Sequence, residues 1–350
     1  MALRSADRSK FSEPLVVNVL RGQQIESCHR VIAVIADPDG KVLEAWGDPG
    51  RLVFPRSSVK AMQALPLIET GAADHFSLSD EEIALACGSH GGAPEQVTRL
   101  ERWLNRMGLS EAGLECGIQW PMDSASADAL RNKGEIPRKI HNNCSGKHMG
   151  FLATAIYLNE PLNGYIGIKH PVQRRVMLVL QELTGFEPPA EAFAIDGCGI
   201  PTIAVPIRAL AMAAARIAKP KDLSPKRRAA IERIRRSIAA APDLIAGQGR
   251  LDTVLTRMFG EDALVKSGAE GVFLAALPKI GLGIALKVED GAKRAADVAA
   301  TTLLRHVGII DTDKAKELAK FFSTLVNNSL DVTVGEIKPD KSWPSRRSTP

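Results

Sequence analysis

Phe54-Pro55-Arg56-Ser57-Ser58-Val59-Lys60-Ala61-Met62-Gln63-Ala64-Leu65 reads as a turn at Pro55 that runs into the first turns of a helix. Residues three apart on a helix share a face, so the spacing predicts that Ser57 and Lys60 meet. A serine hydroxyl is a poor nucleophile, and a neutral lysine beside it can take its proton. The start of a helix adds partial positive charge, which favours an oxyanion over a neutral hydroxyl. Ser-x-x-Lys is therefore a workable nucleophile–base pair. The plainer reading is an N-capping serine with a solvated lysine, and a chain of this composition should hold about one such spacing by chance. The segment takes its meaning from what lies on either side of it.

Upstream, residues 15–20 alternate as a strand does, 21–24 look like a turn, and a second strand runs over about 25–36. Asp37-Pro38-Asp39-Gly40 is a hairpin signal, and 41–46 return as a third strand. Downstream, Gly71 closes the helix, and helices are expected over about 94–107, 141–158, 172–184, 203–218 and 225–241. Residues 113–137 read as irregular, and 192–195 as a short strand. Residues 264–268 and 271–275 read as a strand pair, followed by a hairpin over 280–288 turned by Glu289-Asp290-Gly291. Helices at 294–307 and 313–326 then precede a polar end. Strands at both ends with helices between them predict an α/β enzyme of the α+β type. It would be a single catalytic unit, 1–340, with an antiparallel sheet from about 13–55 and 262–337, a helical lobe over about 56–261, and a polar tail at 341–350.

The bulk properties narrow the class. Among 350 residues, 45% are apolar and 24% charged, which is ordinary for a soluble globular enzyme. Aromatics make up only 5%, which argues against the exposed stacking platforms of single-strand nucleic-acid binders. The net charge of +5 is modest, and much of the excess lies between Lys219 and Arg236, a run better read as a solvated helix face. Residues 1–8 show no apolar signal region, and no apolar run approaches the roughly 20 residues of a membrane helix. A cytoplasmic protein is expected, with neither a nucleic-acid nor a membrane partner. Five scattered cysteines do not make a disulfide framework; in a reducing compartment they are core fillers, metal ligands or nucleophiles.

Three further stretches carry chemistry. Gly88-Ser89-His90-Gly91-Gly92 sets a hydroxyl and an imidazole among glycines that permit close backbone approach to a ligand; it reads either as a substrate loop with Ser89 as a second hydroxyl or as a helix cap and turn. Lys266-Ser267-Gly268 matches the strand motif that accompanies Ser-x-x-Lys in serine acylases. In Asn142-Asn143-Cys144-Ser145-Gly146-Lys147-His148, one helix turn holds Cys144, Lys147 and His148, and Cys198 lies far along in Asp196-Gly197-Cys198-Gly199. Two cysteines and a nitrogen donor could hold Zn²⁺, with water completing the tetrahedron, although the spacing is not a zinc-finger pattern. The alternative is two buried thiols and an N-capping serine.

Taken together, Pro55–Lys60, Cys87–Gly92, His141–Met149, Asp196–Gly199 and Lys266–Gly271 resemble, in order and spacing, the L-asparaginase II family of rhizobial type. The resemblance covers nearly the whole chain. It implies a fold of the serine β-lactamase and serine-glutaminase type, a homodimer, a zinc ion near the active site, and hydrolysis of L-asparagine to L-aspartate and ammonia. Carried over, Ser57 with Lys60 and Ser89 with Lys266 would be two Ser–Lys tandems, with Ser57 favoured as the nucleophile. Cys144, Lys147 and Cys198 would be the metal ligands, and a lysine ligand must be a neutral amine. Arg56, His148 and Asp196 match further positions that bind substrate. Around Arg250-Leu251-Asp252 the chain lacks a cysteine that some relatives carry, a departure expected to touch substrate affinity. Rival readings are a glutaminase or broader amidase with the same apparatus, and a zinc-bearing asparagine-binding protein without turnover.

Overall fold

A computed structural model describes residues 12–345; the polar start of the chain and the last five residues of the expected tail lie outside the described residues. The sheet is built on β2 (Gln24–Ala36), whose second half is buried throughout. An apolar run of that kind is stable only where both faces of a sheet are covered. Alternate residues serve opposite cores, Ile32, Val34 and Ala36 one cluster and Val31, Ala33 and Ile35 the other, as the pleat requires. β1 (Leu15–Arg21) and β3 (Val42–Trp46) both pair with β2. Short pieces pair elsewhere: β4 (Leu52–Val53) with β7 (Val205–Pro206), and β5 (Phe193–Ile195) with β6 (Pro201–Ile203). The C-terminal part of the chain adds β8 (Leu264–Gly268), β9 (Val272–Leu277), β10 (Leu282–Val288), β11 (Thr324–Asn327) and β12 (Thr333–Pro339).

The strand order is β11-β12-β1-β2-β10-β9-β8 with β3 added on β2, and the pairings are antiparallel. The expected mixed architecture, helices against an antiparallel sheet, is what the chain forms. The helix Lys293–His306 packs on one face and the alanine-rich helix Ile207–Ala218 on the other. The second contact is very close: a Cβ on Gly283 of β10 would run into the Ala211 carbonyl and the Ala215 amide. Small residues on both sides let helix and sheet backbones touch.

Several expected elements differ. The helix expected from about 203 starts at Ile207, because Pro201 to Pro206 is drawn into β6 and β7. Ser124–Asn132 is a helix capped by Asp123 within the stretch expected to be irregular. The turn after β10 leads into the helix Lys293–His306 rather than closing a hairpin; β10 pairs back on β9 instead. Residues 313–326, expected as one helix, split into short helices and β11, which β12 holds by pairing. No described helix is long and apolar enough to cross a membrane.

One crossing in the helical lobe governs the site. The helix Asp80–Cys87 begins with a capping box, in which Ser79 accepts from the Glu82 amide and Glu82 accepts from that of Ser79, satisfying two orphan donors at once. It crosses Ser145–Tyr157 at Gly146, where a Cβ would strike the Leu85 carbonyl. This close approach brings the end of one helix, Gly88-Ser89, beside the start of the other, Asn143-Cys144.

Candidate active site

Lys60 is fully buried, and its Nζ meets three oxygens: the Gly88 carbonyl at 2.6 Å, the Ser89 hydroxyl at 3.1 Å and the Asn143 carbonyl at 3.1 Å. The carbonyls can only accept. A neutral amine can therefore give both N–H donors to them and turn its lone pair to the Ser89 O–H. Burial, aided by the charges of Lys147 and Lys266, brings Lys60 down to about 8 although Cys144 opposes the shift. The lysine expected beside Ser57 thus bonds Ser89. Its helix starts as a tight 3₁₀ turn, Arg56–Val59, and the helix crossing supplies three long-range acceptors that draw the amine away from Ser57.

Ser57 is half-buried, and its hydroxyl has no hydrogen-bond partner among the described residues. It follows Arg56, which lies in the left-handed region at φ 51°, a conformation that costs a non-glycine residue energy and persists only where its surroundings enforce it. Part of that enforcement is visible. Arg56 Nε donates to Asp196 Oδ1 at 2.5 Å, and burial of Asp196 is outweighed by Lys147 and Arg56, which hold its carboxyl below the usual range. Arg56 and Asp196, expected to bind substrate, are paired with each other.

The Gly88–Gly92 loop is tied from several sides. The Ser89 N–H donates to the Ile245 carbonyl at 2.7 Å. Buried His90 accepts from the Gly92 N–H at Nδ1, 3.2 Å, and donates from Nε2 to Ser145 Oγ, 2.8 Å, which in turn donates to the Ile140 carbonyl. Burial brings this imidazole down to about 3, keeping it neutral. Its role is to fasten the loop to the helix Ser145–Tyr157.

Ser57 and Ser89 line one cleft of about 150 Å³ with Asn143, Arg250, Ser267 and Glu270. A larger cleft of about 810 Å³, along Gln96, Asp123 and Arg257, holds no paired serine and lysine. Lys266 was expected beside Ser89 but is bonded elsewhere. Its Nζ meets Asp252 Oδ2 at 2.8 Å and the Ser267 carbonyl at 2.9 Å. Asp252, on the helix Leu251–Phe259, lies in the stretch noted for its missing cysteine but was not expected as the partner of Lys266. An acid in the first turn of a helix is ordinary, and nothing local marks it as the partner of a strand lysine.

Cys144, Lys147 and Cys198 come together in the interior, with Lys147 Nζ 3.1 Å from Cys198 Sγ and the two thiols hydrogen-bonded to each other. That bond from Cys144, with Lys147 adding, pulls Cys198 down to about 5 against burial, while Cys144 is pushed up to about 12. Burial opposes charge on Lys147, but the two sulfurs outweigh it and favour the ammonium. Two sulfurs and an amine are a donor set that suits zinc; a bound ion would have to displace the Lys147 proton. Among the described residues, no three His, Cys, Asp or Glu side chains group as a metal site, so lysine is needed to complete the set. His148 is wholly buried and absent from the cleft lining. Its Nδ1 accepts from the Tyr165 hydroxyl at 2.7 Å, whose oxygen also accepts from the Glu115 amide, and Nε2 has no partner among the described residues.

The family model described as L-asparaginase II matches residues 17–339. Among solved structures, the chain is similar to Mglu in its native form, at 17% identity over 82% of this chain and 66% of that one, TM-score 0.36. It is similar to Mglu in the presence of 4.3 M NaCl at 18% identity, 82% and 63% coverage and TM-score 0.36. A β-lactamase from Mycobacterium bovis is 12% identical over 78% of this chain and 93% of that one, with TM-score 0.36. The chain thus spans just under two thirds of the length of the two Mglu chains. No curated protein matches it.

Proposed function

The chain belongs to the L-asparaginase II family, and from that premise we propose that it hydrolyses L-asparagine to L-aspartate and ammonia by Ser–Lys acyl transfer. The observation that carries this reading is buried Lys60, with two carbonyl acceptors, a serine hydroxyl and the Cys144 thiol around it and no carboxylate partner among the described residues. A lysine needs a neutral amine to act as a base, and this setting favours one. Ser57 Oγ attacks the side-chain amide carbon, and its proton passes through the Ser89 hydroxyl to Lys60. Lys60 returns the proton to the leaving nitrogen, ammonia departs, and water cleaves the aspartyl ester along the same relay. The Ser57 N–H precedes the first hydrogen bond of its turn, Ser58 N–H to the Pro55 carbonyl at 3.1 Å, and is free to serve the oxyanion.

A second reading rests on the Ser89–Lys60 hydrogen bond itself, which would make Ser89 the nucleophile. Ammonia release from L-asparagine and L-glutamine, with mass-spectrometric trapping of the acyl group, decides between them. We expect Ser57→Ala to lose about 10³-fold in kcat and Ser89→Ala about 10²-fold, with the acyl group still on the Ser57 peptide. Release that survives in Ser57→Ala and vanishes in Ser89→Ala would reverse the roles. No release from either amide, by folded protein supplied with zinc, would sink the asparaginase reading. Turnover of L-glutamine at a similar rate would widen it to a general amidase, since one methylene is worth only about 1–3 kcal/mol.

Cys144, Lys147 and Cys198 would hold the zinc ion of this reading. When bound, it would supply a positive anchor for the substrate's α-groups. We expect about one zinc per chain in the purified protein, bound through the two thiols and the amine. Metal analysis of Cys198→Ser should find it lost; retention of zinc there would remove these ligands from the proposal. A homodimer is the expected assembly, which light scattering would test.

A further inference from the structure

Arg56, His148 and Asp196 were expected to bind substrate, yet none of them lines the cleft that holds Ser57 and Ser89. The charges that do line it come from the C-terminal part of the chain: Arg250, Glu270, Lys293 and Asp297. Arg250 stands immediately before the helix Leu251–Phe259, half-buried, with Nη1 donating to the Ser89 carbonyl over a long 3.4 Å. Nearby Asp252 does not neutralise it. That carboxylate is taken up by the Lys266 amine at 2.8 Å, by the Ser267 N–H at 3.1 Å and by the Ser267 hydroxyl at 2.5 Å. Among the described residues Arg250 makes no ion pair, and Asp252 and Asp297 act on it only through space. A guanidinium with most of its donors idle therefore faces the cleft. Asp297 faces the same cleft from the helix Lys293–His306. Its side chain is 19% exposed, and its ion pair is with Lys293, one turn back on the same helix and 58% exposed. Exposed pairs of this kind are weak and yield to a better-placed cation. Burial raises the Asp297 carboxyl, and Lys293 only partly opposes that shift.

We propose that Arg250 and Asp297 select a free α-amino acid: the guanidinium takes the substrate's α-carboxylate and the Asp297 carboxylate its α-ammonium, with the side-chain amide turned to Ser57. The inference rests on the reading of the Ser57–Ser89 cleft as the place of amide hydrolysis, and names what that cleft recognises. A cation and an anion supplied from different helices fit a zwitterion, and an asparagine inside a peptide offers no such pair of charges. A substrate that lacks one charge leaves the matching side chain desolvated and unpaired, which is where enzymes discriminate most sharply. Zinc held by Cys144, Lys147 and Cys198 would add positive charge from the interior. None of those three lines the cleft, so direct contact with the carboxylate falls to Arg250. Of the two acids in the lining, Glu270 is the more exposed, and Asp297 is the one close enough to Arg250 to feel its charge.

Two truncated substrates test the assignment, because each lacks one α-group and adds no bulk. Succinamate keeps the carboxylate, β-alaninamide keeps the ammonium, and both can still release ammonia. The wild type should show kcat/KM at least about 10²-fold lower on each than on L-asparagine. Arg250→Met should lose about 10²-fold on L-asparagine and on succinamate and change little on β-alaninamide. Asp297→Asn should lose as much on L-asparagine and on β-alaninamide and change little on succinamate. Where turnover of an analogue is too slow to follow, its inhibition of L-asparagine hydrolysis gives the same comparison. A merely structural role for either residue would lower all three substrates alike and overturn the proposal. So would wild-type turnover of either analogue at the rate of L-asparagine. Loss of discrimination in Glu270→Gln but not in Asp297→Asn would move the ammonium to the other acid and likewise overturn it. Should a neutral variant fail to fold, Arg250→Lys and Asp297→Glu, which displace the charge without removing it, should give the same crossed pattern in weaker form. If no amide is hydrolysed at all, the functional reading fails, and titration calorimetry of L-asparagine with the same proteins judges the pair. A loss of about tenfold or more in affinity in each variant would sustain it; unchanged affinity, or no binding by the wild type, would overturn it.

Discussion

Lys60→Met is expected to cut ammonia release from L-asparagine by about 10³-fold or more, the larger end of what a positioned base contributes, while the protein still folds. The case for both halves is physical. Methionine fills the volume of the lysine stem, so packing against the neighbours of this fully buried side chain survives. What is lost is the amine between the Gly88 carbonyl, the Asn143 carbonyl and the Ser89 hydroxyl. Stability should change by no more than about 1–3 kcal/mol, the cost of leaving a buried acceptor unpaired, partly offset because a buried amine no longer has to be desolvated. Calorimetry beside an ammonia assay separates the two effects. A folded variant with wild-type turnover would remove Lys60 from the chemistry; an unfolded one would give the lysine a role in the lobe's architecture.

The second large effect lies in the crossing that builds the site. Gly146→Ala should destabilise the protein by about 3 kcal/mol, the upper range for overpacking, because the added carbon meets the backbone carbonyl of Leu85 rather than the yielding end of a side chain. That is a large share of the roughly 5–15 kcal/mol by which a folded protein is stable. The control lies one helical turn along. Gly150→Ala would place its Cβ 3.3 Å from Leu67 Cδ2 and 3.6 Å from Ala86 Cβ, contacts that side chains can absorb. It gains about 1 kcal/mol of helix propensity, so near-neutral stability is expected. Denaturant unfolding of the two variants side by side would show whether the backbone contact governs; similar losses in both would mean that it does not. Folded Gly146→Ala should also be sluggish, since the same contact sets Ser89 beside Lys60.

The contrast between those two effects marks what could be read from residues alone. The strands around β2 were legible because 25–36 is apolar and β-branched between clear turn signals, and the hairpin at Asp37–Gly40 punctuates it. Family membership was legible because five short motifs recur in order. Strand pieces β6 and β7 were not, because the alanine-rich periodicity of the helix after Ile207 extends back over them, and only pairing of β7 with distant β4 and of β6 with neighbouring β5 breaks it. The helix Ser124–Asn132 buries only Ala127, so it carries almost no apolar pattern. β11 continues an amphipathic stretch and is a strand only because β12 pairs with it.

Within the site, helix spacing placed Ser57 and Lys60 on one face correctly in principle, yet the amine follows the strongest acceptors within reach. Those come from Gly88 and Asn143, far off in sequence and adjacent only through the Gly146 crossing. Asp252 had no legible signal for the same reason. Its partner Lys266 lies on a different element, and an acid in the first turn of a helix has a sufficient local explanation in the helix dipole.

The strand order carries a consequence for the chain as it is made. β1, β2 and β3 leave the ribosome before the C-terminal strands, but the apolar second half of β2 has its neighbour in β10, and β1 has its outer neighbour in β12. Until residues 264–339 emerge, those early strands expose surface that the finished sheet covers, and distant pairings of this kind form slowly. The whole helical lobe is synthesised in between. Ser57 and Lys60 therefore exist about two hundred residues of synthesis before Ser267 and Lys266 reach them, and over that interval the nascent chain carries Ser57, Ser89 and Lys60 with no cleft in which to use them.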